Sequence, residues 1–195
     1  GNNYGTPPNT TWETVAYGAG MFMAVGPSTA CGKVAGTLEM MTSTDGISWT
    51  YSTNSVLAGI CPQSVVYGDG VWVAVGTADS RICYSTNNGA TWTNSAGQYT
   101  VNYSSVAYGN GYFVAVADSA SADAISYSAD GITWSRASST RGAWQYVASD
   151  GKGAFMAVAS TGSPKCLYSS DNGATWVQRN NDLNGNFEEV IYLNM

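Results

Sequence analysis

The 195-residue chain contains no histidine, and charged residues make up only 10% of it. Without histidine, Ser-His and Cys-His nucleophile pairs cannot form, and neither can a zinc site that contains histidine. The seven Lys and Arg residues are scattered along the sequence, and the formal net charge is −6. Nucleic-acid binding depends on clustered basic side chains, so no nucleic-acid partner is expected.

Long apolar runs are absent as well. No stretch approaches the ~18 consecutive apolar residues that a membrane-spanning helix needs, so no membrane insertion is expected. The sequence starts at Gly1 without a signal-peptide pattern, which suggests a mature or processed protein. Hydrophobic residues reach 44%, enough to bury the core of a single domain. A polar surface with so little charge suits secreted or tightly assembled proteins.

The four cysteines match neither a zinc motif nor a redox motif, because the sequence has no Cys-x-x-Cys. Cys83 and Cys166 lie in apolar strand-like segments, where a thiol behaves as a small hydrophobic group. Cys31 and Cys61 lie in the two segments that lengthen the first repeat. The sequence leaves two alternatives open: a Cys31–Cys61 disulfide in an oxidising compartment, or four buried free thiols.

One short turn sequence, Ser-x-Asp/Asn-(Asn)-Gly-x-Ser/Thr-Trp, occurs four times, with its closing tryptophans 42 or 43 residues apart. A fixed period of this size indicates that one supersecondary unit has been copied. We name each copy a box turn. The residues that define the four box turns are Ser43, Asp45, Gly46 and Trp49; Ser85, Asn87, Gly89 and Trp92; Ser128, Asp130, Gly131 and Trp134; and Ser169, Asp171, Gly173 and Trp176.

The second copy shows the unit around each box turn. β-Branched and aromatic residues at 63–67 and 71–75 flank a Gly-Asp-Gly turn, and further strands are predicted at 81–85 and 90–94. No window has helical periodicity. Four short strands per repeat of this length are typical of a β-propeller. The sequence therefore predicts an all-β propeller of four blades at about 12–56, 62–97, 103–139 and 144–180.

The box turn resembles the Asp-box, or bacterial neuraminidase repeat, of sialidases, other secreted glycan-active propellers and many phage and bacterial surface proteins. Four copies in register cover residues 12–180. The sequences of the repeats are most similar to those of uncharacterised phage and bacterial surface proteins. The resemblance implies an extracellular, cell-surface or virion location, with the boxes on the blade periphery.

The box turns themselves are expected to be structural. A short Asp or Asn side chain accepts hydrogen bonds from backbone N–H groups two residues on, and glycine supplies the unusual backbone angles. The tryptophan then buries a large ring against the turn. Asn87 in place of Asp in the second copy argues against an ionic role at this position. No cofactor and no metal site are predicted.

An enzymatic role is not expected. By the resemblance, a sialidase site would need an arginine triad, a tyrosine nucleophile paired with a glutamate, and an acidic proton donor. The chain has only four arginines, lacks the Phe/Tyr-Arg-Ile-Pro segment and encodes four blades where sialidases carry six. Its four glutamates are Glu13, Glu39, Glu188 and Glu189. A glycosidase-like fragment is a remote alternative, since the fold alone does not specify activity.

A fifth strand-like segment at 187–193 ends the chain, with Phe187, Val190 and Tyr192 as its strand-forming residues. It resembles the first strand of each repeat, but no further blade follows it. An unpaired strand invites pairing. It could close the ring as a clasp, exchange with a neighbouring subunit, or belong to a longer propeller. An extended arm is predicted at residues 1–11.

The hypothesis that we favour from the sequence is a non-enzymatic, self-assembling surface protein, such as a filament subunit or a phage tail or fibre component. Its partner would be a further copy of itself. The alternative is a lectin, adhesin or receptor-binding propeller that uses its variable loops. In that case Tyr99, Tyr103 and Trp144 are candidate aromatics for stacking on the sugar rings of a cell-surface glycan.

Overall fold

Antiparallel strands form the regular structure of the described part of the chain. The computed structural model describes residues 12–26, 38–54, 60–78, 81–119, 124–159 and 164–179. The described strands are β1 (Thr14–Gly18), β2 (Met21–Gly26), β3 (Leu38–Ser43), β4 (Thr50–Asn54), β5 (Ile60–Gly68), β6 (Val71–Ala78), β7 (Ile82–Ser85), β8 (Thr93–Asn94), β9 (Tyr103–Gly109), β10 (Tyr112–Ser119), β11 (Ile125–Ser128), β12 (Ser135–Arg136), β13 (Gly142–Ser149), β14 (Phe155–Ala159), β15 (Cys166–Ser169) and β16 (Val177–Gln178). The prediction of an all-β chain is confirmed.

The strands form four consecutive meanders, which we number units 1 to 4. Unit 1 (β1–β4) and unit 2 (β5–β8) are separate four-stranded sheets. Unit 3 (β9–β12) and unit 4 (β13–β16) are joined by a short pairing of β10 with β13, in which Asp118 faces Ala143 and Ser119 faces Gly142. The first strands of successive units, β1, β5, β9 and β13, pack side by side in chain order.

Among the described strands, the row of first strands does not close into a ring. No packing comparable to that between neighbouring units joins β13 or β14 to β1 or β2. The four repeats predicted from the sequence are therefore present as four meanders, but a closed ring of four blades is not confirmed. The two ends of the row are unit 1 and unit 4, and the candidate functional site lies on their outer faces.

Tight turns with positive φ connect the first two strands of units 1 to 3. In unit 3, Asn110 (φ 52°) and Gly111 (φ 79°) both take the left-handed conformation. Two left-handed residues in succession match the right-handed twist of an antiparallel hairpin. The same pair of positions is Ala19-Gly20 in unit 1 and Asp69-Gly70 in unit 2. These turns fix the register of each hairpin.

The bounds of the unit 2 strands differ from the sequence prediction. The second strand of unit 2 continues past Val75 to Ala78, because Ile60 and Cys61 extend the preceding strand and pair with Ala78 and Thr77. The fourth strand of unit 2 is shorter than predicted and has only two residues, Thr93–Asn94.

The fourth strand of unit 3 also has only two residues, and the hydrogen bonds of that unit show why. The box turn continues as far as its tryptophan, and the backbone N–H of Trp134 bonds to Ala96 O of the preceding unit. The chain is therefore not free to pair with the third strand of its own unit until after the tryptophan. The last strand begins there, at Ser135.

The hydrophobic core lies between the units. One cluster joins Met23 and Met40 of unit 1 to Val65, Trp72 and Trp92 of unit 2, and a larger cluster runs through units 2 to 4. Several sequence predictions lie outside the described residues. They are the arm at 1–11, Cys31, and the fifth strand at 187–193 with Phe187, Val190 and Tyr192.

Candidate functional site

Each box turn is closed by hydrogen bonds between its own residues. In unit 3, the Ser128 hydroxyl donates to Asp130 Oδ1 at 2.9 Å and accepts the backbone N–H of Gly131 at 2.9 Å. The backbone N–H groups of Ile132 and Thr133 both donate to Asp130 Oδ1 at 2.8 Å. The carboxylate therefore stands in for the missing backbone acceptors of the turn.

The box turns of units 2 and 4 are one residue longer and use the same chemistry. In unit 2, Asn87 Oδ1 accepts the Ser85 hydroxyl at 2.9 Å and the backbone N–H of Thr91 at 2.9 Å. The Asn87 amide also donates to the Thr91 hydroxyl at 2.8 Å. In unit 4, Asp171 Oδ1 accepts the corresponding N–H of Thr175 at 2.9 Å. A neutral amide thus makes the same turn as a carboxylate.

Hydrogen bonding lowers the pKa of each box-turn aspartate. The backbone N–H groups of Ser48 and Ile47 lower the pKa of Asp45 to about 2. For Asp130 and Asp171, partial burial raises the pKa, but the hydrogen bonds to each carboxylate outweigh it and lower the pKa. All three carboxylates are therefore ionised at neutral pH, and they accept hydrogen bonds from within their own turns.

The box glycines of units 2 to 4 lie against the preceding unit. A Cβ atom at Gly89 would stand 2.8 Å from Met23 Cε of unit 1, and one at Gly131 would stand 2.8 Å from Val73 Cγ2 of unit 2. A Cβ at Gly173 would clash with Val114 of unit 3 in the same way. Glycine suits these positions because their φ is positive and the preceding unit leaves little room for a side chain.

We define the leading face of a unit as the side that packs on the preceding unit. It consists of a valine on the first strand, an aromatic residue on the second strand and the box tryptophan. In units 2 to 4 these side chains are all buried. The leading faces are Val65, Trp72 and Trp92 in unit 2; Val106, Phe113 and Trp134 in unit 3; and Val147, Phe155 and Trp176 in unit 4.

Unit 1 has the same leading face, but nothing in the described structure covers it. Val15 is 58% exposed, whereas its equivalents in the other units are between 5% and 6% exposed. Trp49 and Phe22 are half-buried. Next to them, Tyr17 and Ile47 are exposed as well. These side chains together form an apolar patch on the surface of the described structure.

The opposite end of the row is partly uncovered. On the second strand, Met23, Val73 and Val114 of units 1 to 3 are fully buried by the unit that follows. Their equivalent in unit 4, Met156, is 39% exposed. Val158 on the same strand is buried, so the opening is local to Met156. We name the side of unit 4 that carries Met156 its trailing face.

Two of the three candidate ligand-stacking aromatics are buried, so that prediction is wrong for them. Tyr103 is fully buried, and its hydroxyl lies 3.1 Å from Ser126 Oγ. Trp144 is also fully buried in the core of units 3 and 4. Both residues belong to first strands, whose register turns them inward. Tyr99 is half-buried, and its backbone N–H donates to the Tyr103 hydroxyl.

The described residues contain no cluster of three or more His, Cys, Asp and Glu side chains that could hold a metal ion.

Cys61 is disulfide-bonded, while Cys83 and Cys166 are free and buried. The pairing of Cys61 with Cys31 stays a prediction, because Cys31 lies outside the described residues. Burial raises the pKa of the Cys83 thiol to about 12, which makes it a poor nucleophile. No described helix is long and apolar enough to span a membrane.

The exposed residues at the two ends of the row were missed by sequence reasoning. Val15, Tyr17, Ile47 and Met156 are of the same residue types as buried residues elsewhere in the repeats. Their exposure follows from their position in the first or the last unit. An alignment of the four repeats could have identified these residues, because it shows which faces have no neighbouring repeat.

Comparisons with known structures support the propeller fold. The chain is similar to YCF48 bound to a D1 peptide, with a TM-score of 0.58 and 16% identity over 87% of this chain and 52% of that one. It is also similar to YCF48 from Cyanidioschyzon merolae (TM-score 0.58, 14% identity, 88% of this chain and 59% of that one). A third similar structure is the GH74 enzyme of Niastella koreensis (TM-score 0.62, 18% identity, 89% of this chain and 25% of that one).

At these identities the likeness shows the fold alone, and the chain spans only about half of either YCF48 chain. No curated protein matches the sequence significantly. The sequence profile described as the DUF6242 beta propeller domain matches residues 45–187, which is most of the chain. Together with the four meanders, this match identifies the chain as a member of the DUF6242 beta propeller domain family.

Proposed function

We propose that this chain is a non-enzymatic structural propeller module that assembles with further copies of itself. The observation that carries the proposal is the uncovered leading face of unit 1, where Val15 and Tyr17 are exposed. The same face is buried in every other unit. Leaving such a face in water forfeits the transfer free energy that its equivalents gain, and a protein partner would recover it.

We also infer that the box turns are Asp-boxes and that the protein works outside the cell or on a virion. The support for the first inference is the bond from the Ser hydroxyl to the Asp or Asn side chain, which is present in all four turns. In three turns the tryptophan Nε1 also donates to the glycine carbonyl. The inference about location is supported by the resemblance to Asp-box proteins and by the low charge of the chain. Strand exchange through the segment at 187–193 is one way in which copies could be joined.

The absence of an enzymatic role is part of the proposal. The box carboxylates are occupied by backbone N–H groups, and a metal cluster is absent from the described residues. The GH74 likeness extends to a quarter of that chain at 18% identity, so it carries no inference about activity. The glycan-binding alternative is weaker, because two of its three candidate stacking residues, Tyr103 and Trp144, are buried in the core.

The experiment that tests the proposal measures the mass of the purified protein by light scattering over a wide concentration range, with electron microscopy of the same samples. We expect multiples of the 20.4 kDa chain, seen as filaments or closed rings. A single species of 20.4 kDa at every concentration would contradict the proposal. Binding of a glycan by that monomer would favour the alternative.

A further inference from the structure

We infer that copies join head to tail, with the leading face of unit 1 of one copy docked on the trailing face of unit 4 of the next. The inference rests on the proposed self-assembly and names the surfaces that perform it. The two faces are described above by Val15, Phe22 and Trp49 at one end and Met156 at the other. In this arrangement, the partner that covers each face is a second copy of this chain.

The internal interfaces of the chain show what a leading face binds. Units 1 and 2, 2 and 3, and 3 and 4 meet in the same way, with the box glycine of one unit over the second-strand residue of the unit before it. These second-strand residues are Met23, Val73 and Val114. Three repetitions within one chain establish that leading and trailing faces are complementary. Within the described residues, only unit 4 has a trailing-face residue of this row that is exposed.

The geometry at the open end matches this pairing. Gly46 has the positive φ of the other box glycines (72°), but among the described residues a Cβ there would meet only Phe22 of its own unit, at 3.6 Å. No described residue of another unit fills over Gly46 the space that Met23 fills over Gly89. Met156, like Met23, is an unbranched and adaptable side chain that can fill such a space. By analogy with Gly89 and Met23, Met156 of one copy would lie over Gly46 of the next.

The join between copies is heterologous, because it brings together two different faces. A heterologous contact gives a closed ring if the rotation between copies closes and an open filament if it does not. Among the described residues, each copy exposes the leading face of unit 1 at one end and Met156 of the trailing face of unit 4 at the other. Blocking either one therefore stops growth on one side of a copy only. This property separates the inference from a symmetric contact between two leading faces.

The test uses two single variants, Val15→Lys and Met156→Lys. Lysine at either exposed position can point its charge to solvent in the monomer but not in a dry interface. We expect each variant alone to lose assembly and to have a mass of 20.4 kDa. A 1:1 mixture should form a dimer and stop there, because each variant retains the one good face that the other needs.

Ser135→Lys is the matched control, since Ser135 is exposed on the short outer strand of unit 3. It should assemble as the wild type does, and circular dichroism should show that all three variants are folded. Assembly of the wild type with no effect of either lysine would overturn the head-to-tail join but leave the proposed self-assembly standing. Assembly blocked by Val15→Lys alone, with no effect of Met156→Lys, would indicate a leading-face pair and would also overturn it. A monomeric wild type would contradict the proposed function itself.

Discussion

The box turns of units 1 and 3 have the same length and the same hydrogen bonds but very different surroundings. In both, serine donates to the aspartate, two N–H groups bond to its Oδ1, and the tryptophan Nε1 bonds to the glycine carbonyl. Yet Trp134 is 3% exposed, while Trp49 is only half-buried and Ile47 beside it is 86% exposed. The local sequence makes the turn, and the preceding unit buries it.

The largest expected difference between the two turns concerns their tryptophans. Trp134→Ala removes a buried ring and leaves a cavity between units 2 and 3, at a cost of ~3–5 kcal/mol in the free energy of unfolding. Trp49→Ala removes a ring that is only half-buried, so roughly 1–2 kcal/mol is expected from the lost transfer term. Chemical denaturation of the two variants under conditions that keep the chain monomeric measures both. Equal costs would mean that the leading face of unit 1 is covered in the monomer.

A smaller difference is expected between the box glycines. Gly46 and Gly131 have φ of 72° and 71°, so alanine at either position should cost roughly 1–2 kcal/mol of backbone strain. Only at Gly131 would the new Cβ also press on Val73 Cγ2, at 2.8 Å, which adds about 1–3 kcal/mol of overpacking. Thermal unfolding of the two alanine variants should therefore rank Gly131→Ala below Gly46→Ala. The reverse order would rule out the interface that we describe between units 2 and 3.

The smallest expected effect is the acid sensitivity of a single turn. The pKa of Asp45 is lowered to about 2 in the folded chain from an ordinary value of 3.8. A carboxyl with a lowered folded pKa stabilises the fold above its unfolded pKa, and this stabilisation is lost as the pH falls from about 4 towards 2. Asp45→Asn should reduce the loss of thermal stability over that interval.

Asn87 is the natural precedent for this substitution, because it makes the same turn without a titrating group. The converse variant, Asn87→Asp, should add acid sensitivity to unit 2. Thermal melts of both variants at pH 5 and pH 2.5 provide the comparison. If Asp45→Asn is as acid-sensitive as the wild type, the carboxylate of Asp45 does not stabilise the turn through its charge.

Sequence reasoning predicted the repeated unit because the information for it is local. The Asp or Asn of each box turn, the glycine after it and the paired glycine turns all act within a few residues. The four meanders follow from these signals and from alternating apolar strands. The end of β6 was not predictable in this way, since it depends on pairing with Ile60 and Cys61. The late start of β12 was not predictable either, since it follows a backbone bond from Trp134 to Ala96 of the preceding unit.

Burial was harder to predict than strand pairing. Tyr103 and Trp144 stand at the beginning of first strands, next to variable segments, and their sequence context does not distinguish an exposed ring from a buried one. The register of β9 and β13 turns both rings into the core. Conversely, Val15 and Val106 occupy the same position of the repeat, and only the order of the units makes one exposed and the other buried.

The most direct test of the account is the rate at which hydrogen peroxide oxidises Met156 at low and at high protein concentration. Met23 is fully buried and serves as the internal reference on the equivalent strand. We expect Met156 to oxidise much faster than Met23 in dilute protein and to slow towards the rate of Met23 as copies assemble. A Met156 rate that is the same at all concentrations, in a protein that assembles, would contradict the claim that this face is covered by the next copy.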